Sequence, residues 1–175
     1  HLDAIVSSSQ RTTQALKKHG IPVTDCNHVT ELDVYVDGAD ECTPHGAMLK
    51  GGGGALTGEK ILSHMAKHFI CIADESKLVP MLGNFPLALE VIPLARSMVA
   101  RHIVQMGGAP DLRPDTRTDY GNIILDVQHL DFTDPAHLER ELNNIPGVVT
   151  NGVFALRGAD LLLIGSSSGV KAVST

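Results

Sequence analysis

The chain has 175 residues, 43% of them apolar and 19% charged, enough to bury a sizeable core as one α/β domain or two small ones. A formal net charge of -6 argues against a general nucleic-acid or membrane-surface role, since such surfaces carry excess Lys and Arg. No apolar run approaches the ~18 residues needed to span a bilayer, and the residues from His1 onward lack the charged and apolar regions of a secretory signal.

In chain order, Ala4 to Ser7 reads as a strand, Gln10 to His19 as a helix closed by Gly20, and Ile21 to Val23 as a second short strand, an alternating α/β start. Ser7, Ser8 and Ser9 suit either the mouth of such a sheet or a polar turn capping the helix that follows. Leu32 to Val36 alternates apolar and polar residues as a strand does. It delivers Asp37, Asp40 and Glu41 at its C-terminal end, where open α/β sheets bind their ligands. Lys50 then leads into Gly51, Gly52, Gly53 and Gly54. After them Ala55, Leu56, Ile61, Leu62, Met65 and Ala66 recur at spacings that suit a helix with one buried face, with Glu59 in its first turns.

Glycines entering a helix let the backbone turn tightly and aim several free N–H groups at one point, an arrangement that binds anions and oxyanions. No Gly-Lys-Ser/Thr closes this loop, and no third glycine falls where a dinucleotide fingerprint needs one. A nucleotide loop, and with it a nicotinamide-dependent dehydrogenase, is disfavoured. The three cysteines, Cys26, Cys42 and Cys71, are odd in number and lack C-x-x-C spacing, which fits the reduced thiols of a cytoplasmic protein. His64 and His68 would share a helix face at i and i+4. The segment His-Met-Ala-Lys-His lacks the glutamate of H-E-x-x-H, however, so no metal site is expected there.

Phe69 to Ala73 is an almost continuous apolar run, as in a buried parallel strand, and ends beside Asp74 and Lys77. Beyond Pro80, Gly83 and Pro86 the pattern changes. A strand near Leu87 to Ile92, a helix from Ala95 to Met106, strands near Ala109 to Arg117 and Asn122 to Val127, a helix near Pro135 to Asn143 and a strand near Val148 to Leu156 give the order βαββαβ. Asp119 to Asn122 reads as a hairpin turn, and Asp160 to Ile164 as a strand returning to the first sheet.

Three motifs carry a specific resemblance. Val36-Asp37-Gly38-Ala39-Asp40-Glu41, Lys50-Gly51-Gly52-Gly53-Gly54-Ala55-Leu56-Thr57-Gly58-Glu59-Lys60 and Ala73-Asp74-Glu75-Ser76-Lys77 stand in the order and spacing of the ribose-5-phosphate isomerase type A family. The similarity continues through Val91-Ile92-Pro93 and Ala95-Arg96-Ser97 to Pro146-Gly147-Val148-Val149-Thr150 and Arg157-Gly158-Ala159-Asp160, essentially the whole chain. The resemblance implies a Rossmann-like parallel sheet domain, 1–85 plus 161–175, carrying a smaller ferredoxin-like α+β domain, 86–160. Members of the family have further N-terminal residues, with a first strand and a Gly/Ser/Thr loop that holds phosphate, so a segment upstream of His1-Leu2-Asp3 is expected.

The implied reaction interconverts ribose 5-phosphate and ribulose 5-phosphate through an enediolate, in the non-oxidative pentose phosphate pathway. Moving a carbonyl from C1 to C2 takes a proton from one carbon and returns one to its neighbour, which a single carboxylate can do. Glu59 matches the family's proton acceptor, and its place in the first turns of a helix should keep it ionised. Lys50 and the amides of Gly51 to Gly53 are placed in sequence to stabilise the oxyanion. By resemblance, Asp37 opens the sugar ring, Asp40 holds hydroxyls and Lys77 helps bind substrate. The implied substrate-binding set is Asp37, Gly38, Ala39, Asp40, Lys50, Gly51, Gly52, Gly53 and Lys77. No cofactor is implied, and no constellation of His and carboxylates suggests a metal-assisted hydride shift. A homodimer or larger homo-oligomer is expected. The alternative is a sensor that binds a sugar phosphate without turning it over, since a fold alone does not fix function.

Overall fold

The structure is a computed structural model that describes residues 4–175; His1, Leu2 and Asp3, and the reading of the chain start that rests on them, lie outside the described residues. Helix α1 (Gln10–Lys18) is followed by β1 (Leu32–Asp37), the two-residue strands β2 (Glu41–Cys42) and β3 (Met48–Leu49), α2 (Leu56–Met65) and β4 (Ala66–Asp74). Then come β5 (Leu87–Val91), α3 (Arg96–Gln105), β6 (Ala109–Leu112), β7 (Ile123–Gln128), α4 (Pro135–Asn143), β8 (Val148–Asn151), β9 (Val153–Phe154), β10 (Leu161–Ser166) and β11 (Gly169–Ser174).

The elements form a Rossmann-like sheet and a ferredoxin-like sheet. In the first, β1, β4 and β10 run parallel in that order, and β11 closes the far side antiparallel to β10. The register pairs Asp37 with Cys71 and Gly165 with Asp74, so the strands' C-terminal ends share one edge. In the second, the order β6-β7-β5-β8 is antiparallel throughout, the split βαββαβ arrangement with α3 and α4 as its helices. The short strands β2, β3 and β9 make a third, antiparallel sheet in that order.

Several elements depart from the sequence pattern, each for a local reason. Ala4 to Ser7 and Ile21 to Val23 are not strands, although Thr24 N–H donates to Ile5 C=O at 2.7 Å. The run from Val148 to Leu156 breaks at Gly152, where the chain leaves one sheet for another. Gly152 N–H donates to Ala88 C=O at 2.8 Å and its own C=O accepts from Lys50 N–H at 2.9 Å. A Cβ there would stand 2.2 Å from the Lys50 carbonyl oxygen, so only glycine fits between the two. Helix α2 passes into β4 with no loop, because Ala66 is already extended. His68 is therefore a strand residue and does not share a helix face with His64. The β2–β3 hairpin carries no period in the sequence, because two-residue strands are too short to show one, and β11 is a further strand beyond those the pattern marks.

Each large sheet has its own core. Leu87, Leu89 and Val91 of β5 pack with Val99, Ile103, Leu138 and Leu142 of α3 and α4, while Phe69, Cys71, Leu162 and Ile164 fill the parallel sheet with Leu62 of α2. Helix α2 also meets the second sheet, where Leu56 packs on Ala88 and Ile124. All five residues of β5 are consequently buried. An ion pair fastens the same helix. Lys60 Nζ lies 2.7 Å from Glu139 Oε1 and 2.6 Å from Val153 C=O, and Glu139 Oε2 accepts from the Ala155 and Leu156 amides at 2.8 Å each. Burial pushes the Lys60 ammonium below its ordinary range, opposed by the Glu139 charge. Removing one partner strands the other in the interior, so Glu139→Ala should cost about 3–5 kcal/mol in denaturant unfolding. A loss under about 1 kcal/mol would class the pair with exposed ones.

Candidate active site

The site forms where the sequence brings three segments to the edge of the parallel sheet. Strand β1 ends at Asp37 and continues through Gly38, Ala39 and Asp40; β3 ends one residue before Lys50; the glycine loop leads into α2. Together Asp37, Gly38, Ala39, Asp40, Lys50, Gly51, Gly52, Gly53 and Glu59 line a cavity of about 220 Å³. Lys77 does not line it. It stands with Asp74 in an adjoining cleft of about 590 Å³ that shares the wall formed by Gly38 and Ala39.

Lys50 is the hub. It is 4% exposed, and its ammonium reaches Asp37 Oδ2 at 3.1 Å, Glu59 Oε2 at 3.3 Å and the Gly38 carbonyl, to which it donates. The Gly38 carbonyl takes its hydrogen bond, and the two carboxylates stand around it as ion-pair partners. Asp37 is equally well held: Oδ1 accepts from the Gly38 amide at 2.8 Å and Oδ2 from the Tyr35 hydroxyl. Burial, then the Asp37 charge, push the Tyr35 phenol far above its ordinary range, so it remains the donor. Tyr35 was not singled out in the sequence, though its place two residues before Asp37 puts both on one face of β1.

Glu59 sits in the first turn of α2, whose N-cap Ala55 supplies no side-chain cap. Its Oε2 is buried, with the Lys50 ammonium 3.3 Å away as an ion-pair partner but no hydrogen bond among the described residues, so it keeps capacity to accept from another donor. Burial pushes the Glu59 carboxyl above its ordinary range; Lys50 pulls it back and Asp37 adds to the rise. The helix position expected to keep Glu59 ionised is thus outweighed by desolvation. A carboxylate raised in this way is the stronger base.

Asp40 turns toward the glycine loop, its Oδ2 accepting from the Gly52 amide at 2.8 Å. A Cβ on Gly52 would lie 2.6 Å from Asp40 Oδ1, so the contact requires glycine. Of the three amides expected to face the oxyanion, that of Gly52 already has an acceptor. Ser9 caps α1, its hydroxyl accepting from Thr12 N–H at 3.1 Å, while Ser7 and Ser8 line a groove that runs along β1 to Asp37. Glu41 accepts from the Gly83 and Phe85 amides at 2.8 and 2.7 Å and lies outside the cavity.

The second sheet contributes residues that the motifs gave no hint of. Glu90, fully buried on β5, accepts from the hydroxyls of Thr57 at 2.5 Å and Thr118 at 2.7 Å and from Asn122 Nδ2 at 2.8 Å. It thereby holds α2 two residues from Glu59. The Asp119 to Asn122 turn is accordingly flanked by structural ligands of Glu90, not only a hairpin; its Asp119 also accepts from Gln10 N–H at 2.7 Å. Among the described residues no group of His, Cys, Asp and Glu has the geometry of a metal site, and the three cysteines are free thiols. No helix of the described residues is long and apolar enough to cross a membrane.

A buried, elevated carboxylate beside a lysine and a glycine loop, at the C-terminal edge of a parallel sheet, brings together the kinds of group that proton transfer at a carbon next to a carbonyl requires. The family model described as ribose 5-phosphate isomerase A (phosphoriboisomerase A) matches residues 4–169, and the chain belongs to that family. The fold is similar to the crystal structure of ribose 5 phosphate isomerase A from Neisseria gonorrhoeae, at 45% identity and a TM-score of 0.97, covering 99% of this chain and 78% of that one. It is also similar to ribose 5-phosphate isomerase A from Methanocaldococcus jannaschii, at 38% identity and a TM-score of 0.92, over 97% of this chain and 77% of that one. A third similar structure, a D-ribose-5-phosphate isomerase in complex with phospho-erythronic acid, has 38% identity and a TM-score of 0.93 over the same shares.

Proposed function

We propose that the protein interconverts ribose 5-phosphate and ribulose 5-phosphate through an enediolate. The observation that carries this reading is the buried Glu59 Oε2, free of any hydrogen bond among the described residues and 3.3 Å from the Lys50 ammonium. Glu59 takes the proton from one carbon and returns it to the next, and Lys50 with the glycine-loop amides meets the charge that develops on oxygen. Asp37 has four lone-pair positions, of which Tyr35, Lys50 and the Gly38 amide engage three; the fourth serves ring opening. Asp40 holds hydroxyls with the oxygen capacity left after Gly52. Lys77, across the Gly38 and Ala39 wall, suits the phosphate end. Phospho-erythronic acid, bound by the similar isomerase, carries a carboxylate and a phosphate, the two anionic groups this reading would accommodate, and it should bind here also.

The chain divides in this reading into an α/β catalytic part, 1–85 plus 161–175, and a ferredoxin-like part, 86–160, supported by the two separate large sheets, with Leu49, Leu82, Phe154 and Ala159 packing across the division. The free thiols favour a cytoplasmic setting. Exposed Leu94, with Ile92 and Met98 near it in the chain, favours a homodimer or larger assembly.

The test is isomerisation of ribose 5-phosphate in D₂O with a chelator present, by this chain and by a version extended at its N-terminus. Deuterium should enter the product carbon, because the proton on Glu59 exchanges with solvent. Complete retention of substrate hydrogen together with loss of activity to the chelator would overturn the enediolate route. Binding of the sugar phosphate without turnover in either version would favour the sensor.

A further inference from the structure

Arg113 leaves the end of β6 and reaches the glycine loop about 60 residues earlier in the chain, where its Nη1 donates to two successive carbonyls, Gly51 at 3.1 Å and Gly52 at 3.2 Å. The rest of the guanidinium is locked by Asp126 of β7: Nε donates to Oδ2 at 2.8 Å and Nη2 to Oδ1 at 2.5 Å. This two-pronged pairing fixes both the position and the plane of the arginine. Because a trans peptide unit is planar, its C=O and N–H point in opposite directions. Holding the Gly51 and Gly52 carbonyls toward the second sheet therefore aims the Gly52 and Gly53 amides away from it, toward the cavity those residues line. Gly52 N–H is found there on Asp40, and Gly53 N–H has no acceptor among the described residues.

Four glycines in a row have more backbone freedom than any other tetrapeptide, and the loop's own turn bond, Gly54 N–H to Gly51 C=O at 3.0 Å, does not hold the Gly52–Gly53 peptide between them. Oxyanion donors act well only when they are aimed before charge develops. We infer that Arg113, held by Asp126, is a positioning residue for the reaction: it sets the glycine-loop carbonyls so that the Gly53 amide faces the substrate while the Gly52 amide stays on Asp40. The inference rests on the isomerase reading for its catalytic meaning, and on the loop geometry for the clamp itself.

The experiment compares native protein with Arg113→Ala, Arg113→Lys and Asp126→Asn, measuring kcat and KM for ribose 5-phosphate and amide hydrogen exchange residue by residue. Loss of one oxyanion donor typically costs ~10²–10³ in rate, so misaiming the Gly53 amide should lower kcat roughly ten- to a hundredfold in Arg113→Ala while KM stays within about threefold. Lysine is a point charge without a fork and should recover only part of the loss. Exchange at Gly51 to Gly54 should quicken while amides of β5 and β7 keep their protection. A kcat within about twofold of native in Arg113→Ala would overturn the inference, as would a loss of protection spread evenly through both sheets. If the native protein does not turn over ribose 5-phosphate, the isomerase reading falls; unchanged loop exchange in Arg113→Ala would then still overturn the clamp.

Discussion

Glu59→Gln should lower kcat by roughly 10²- to 10⁴-fold, the span that general acid–base groups supply, while the affinity for phospho-erythronic acid changes little. Glutamine fills the same space beside Lys50 but cannot accept a proton, so binding and chemistry separate. A variant within about tenfold of native kcat would remove Glu59 from the role of base. The pH dependence adds a second check. Burial raises the Glu59 carboxyl in the free protein, so the acid limb of native kcat/KM should lie above the ordinary glutamate range, with activity falling as pH drops through the raised value. Stability moves oppositely. A carboxyl whose folded pKa exceeds its unfolded one contributes stability that is full below the unfolded value and lost as pH rises through the folded one. Thermal melts of native protein and Glu59→Gln should therefore differ little at acid pH and diverge in favour of the variant at neutral pH. A native protein that gains on the variant as pH rises would contradict the burial argument.

Lys50→Met should have the next largest effect, a fall in kcat of roughly 10²- to 10³-fold from loss of charge at the developing oxyanion. The substitution also leaves Asp37 and Glu59 facing each other without their shared cation, at a position only 4% exposed. Lys50 is the largest influence holding the Glu59 carboxyl down, whereas Asp37 pushes it up. The acid limb of whatever activity remains should move to higher pH than in native protein. A limb that stays in place would show that Lys50 does not act on Glu59 and would assign the rate loss to the substrate oxygen alone. Methionine keeps the stem's packing near Phe154, whose ring centre lies 5.7 Å from the ammonium, so the comparison isolates the charge.

Much of this site is local in the chain, which is why it was legible there. Asp37, Lys50 and Glu59 lie within a strand, a hairpin and the first turn of a helix, all inside 23 residues from Asp37 to Glu59. The apolar runs of β4 and β5 and the period of α4 marked their elements because burial on a face repeats along the backbone. The sequence determined the motif residues, the order of the α/β and βαββαβ segments, and through them the family.

Tertiary structure decided what depends on residues far apart. Desolvation of Glu59 comes from the elements packed around it, and no motif states how much water they exclude. The turn of Asp40 onto Gly52, the break at Gly152 and the strand position of His68 follow from how close two backbones come or where one element stops. Arg113 and Glu90 carry no signal of period or spacing toward the loop and helix they hold, because those contacts exist only once the two sheets meet. A sequence records which groups are available, and packing fixes which are dry, which are paired and which are left free to react.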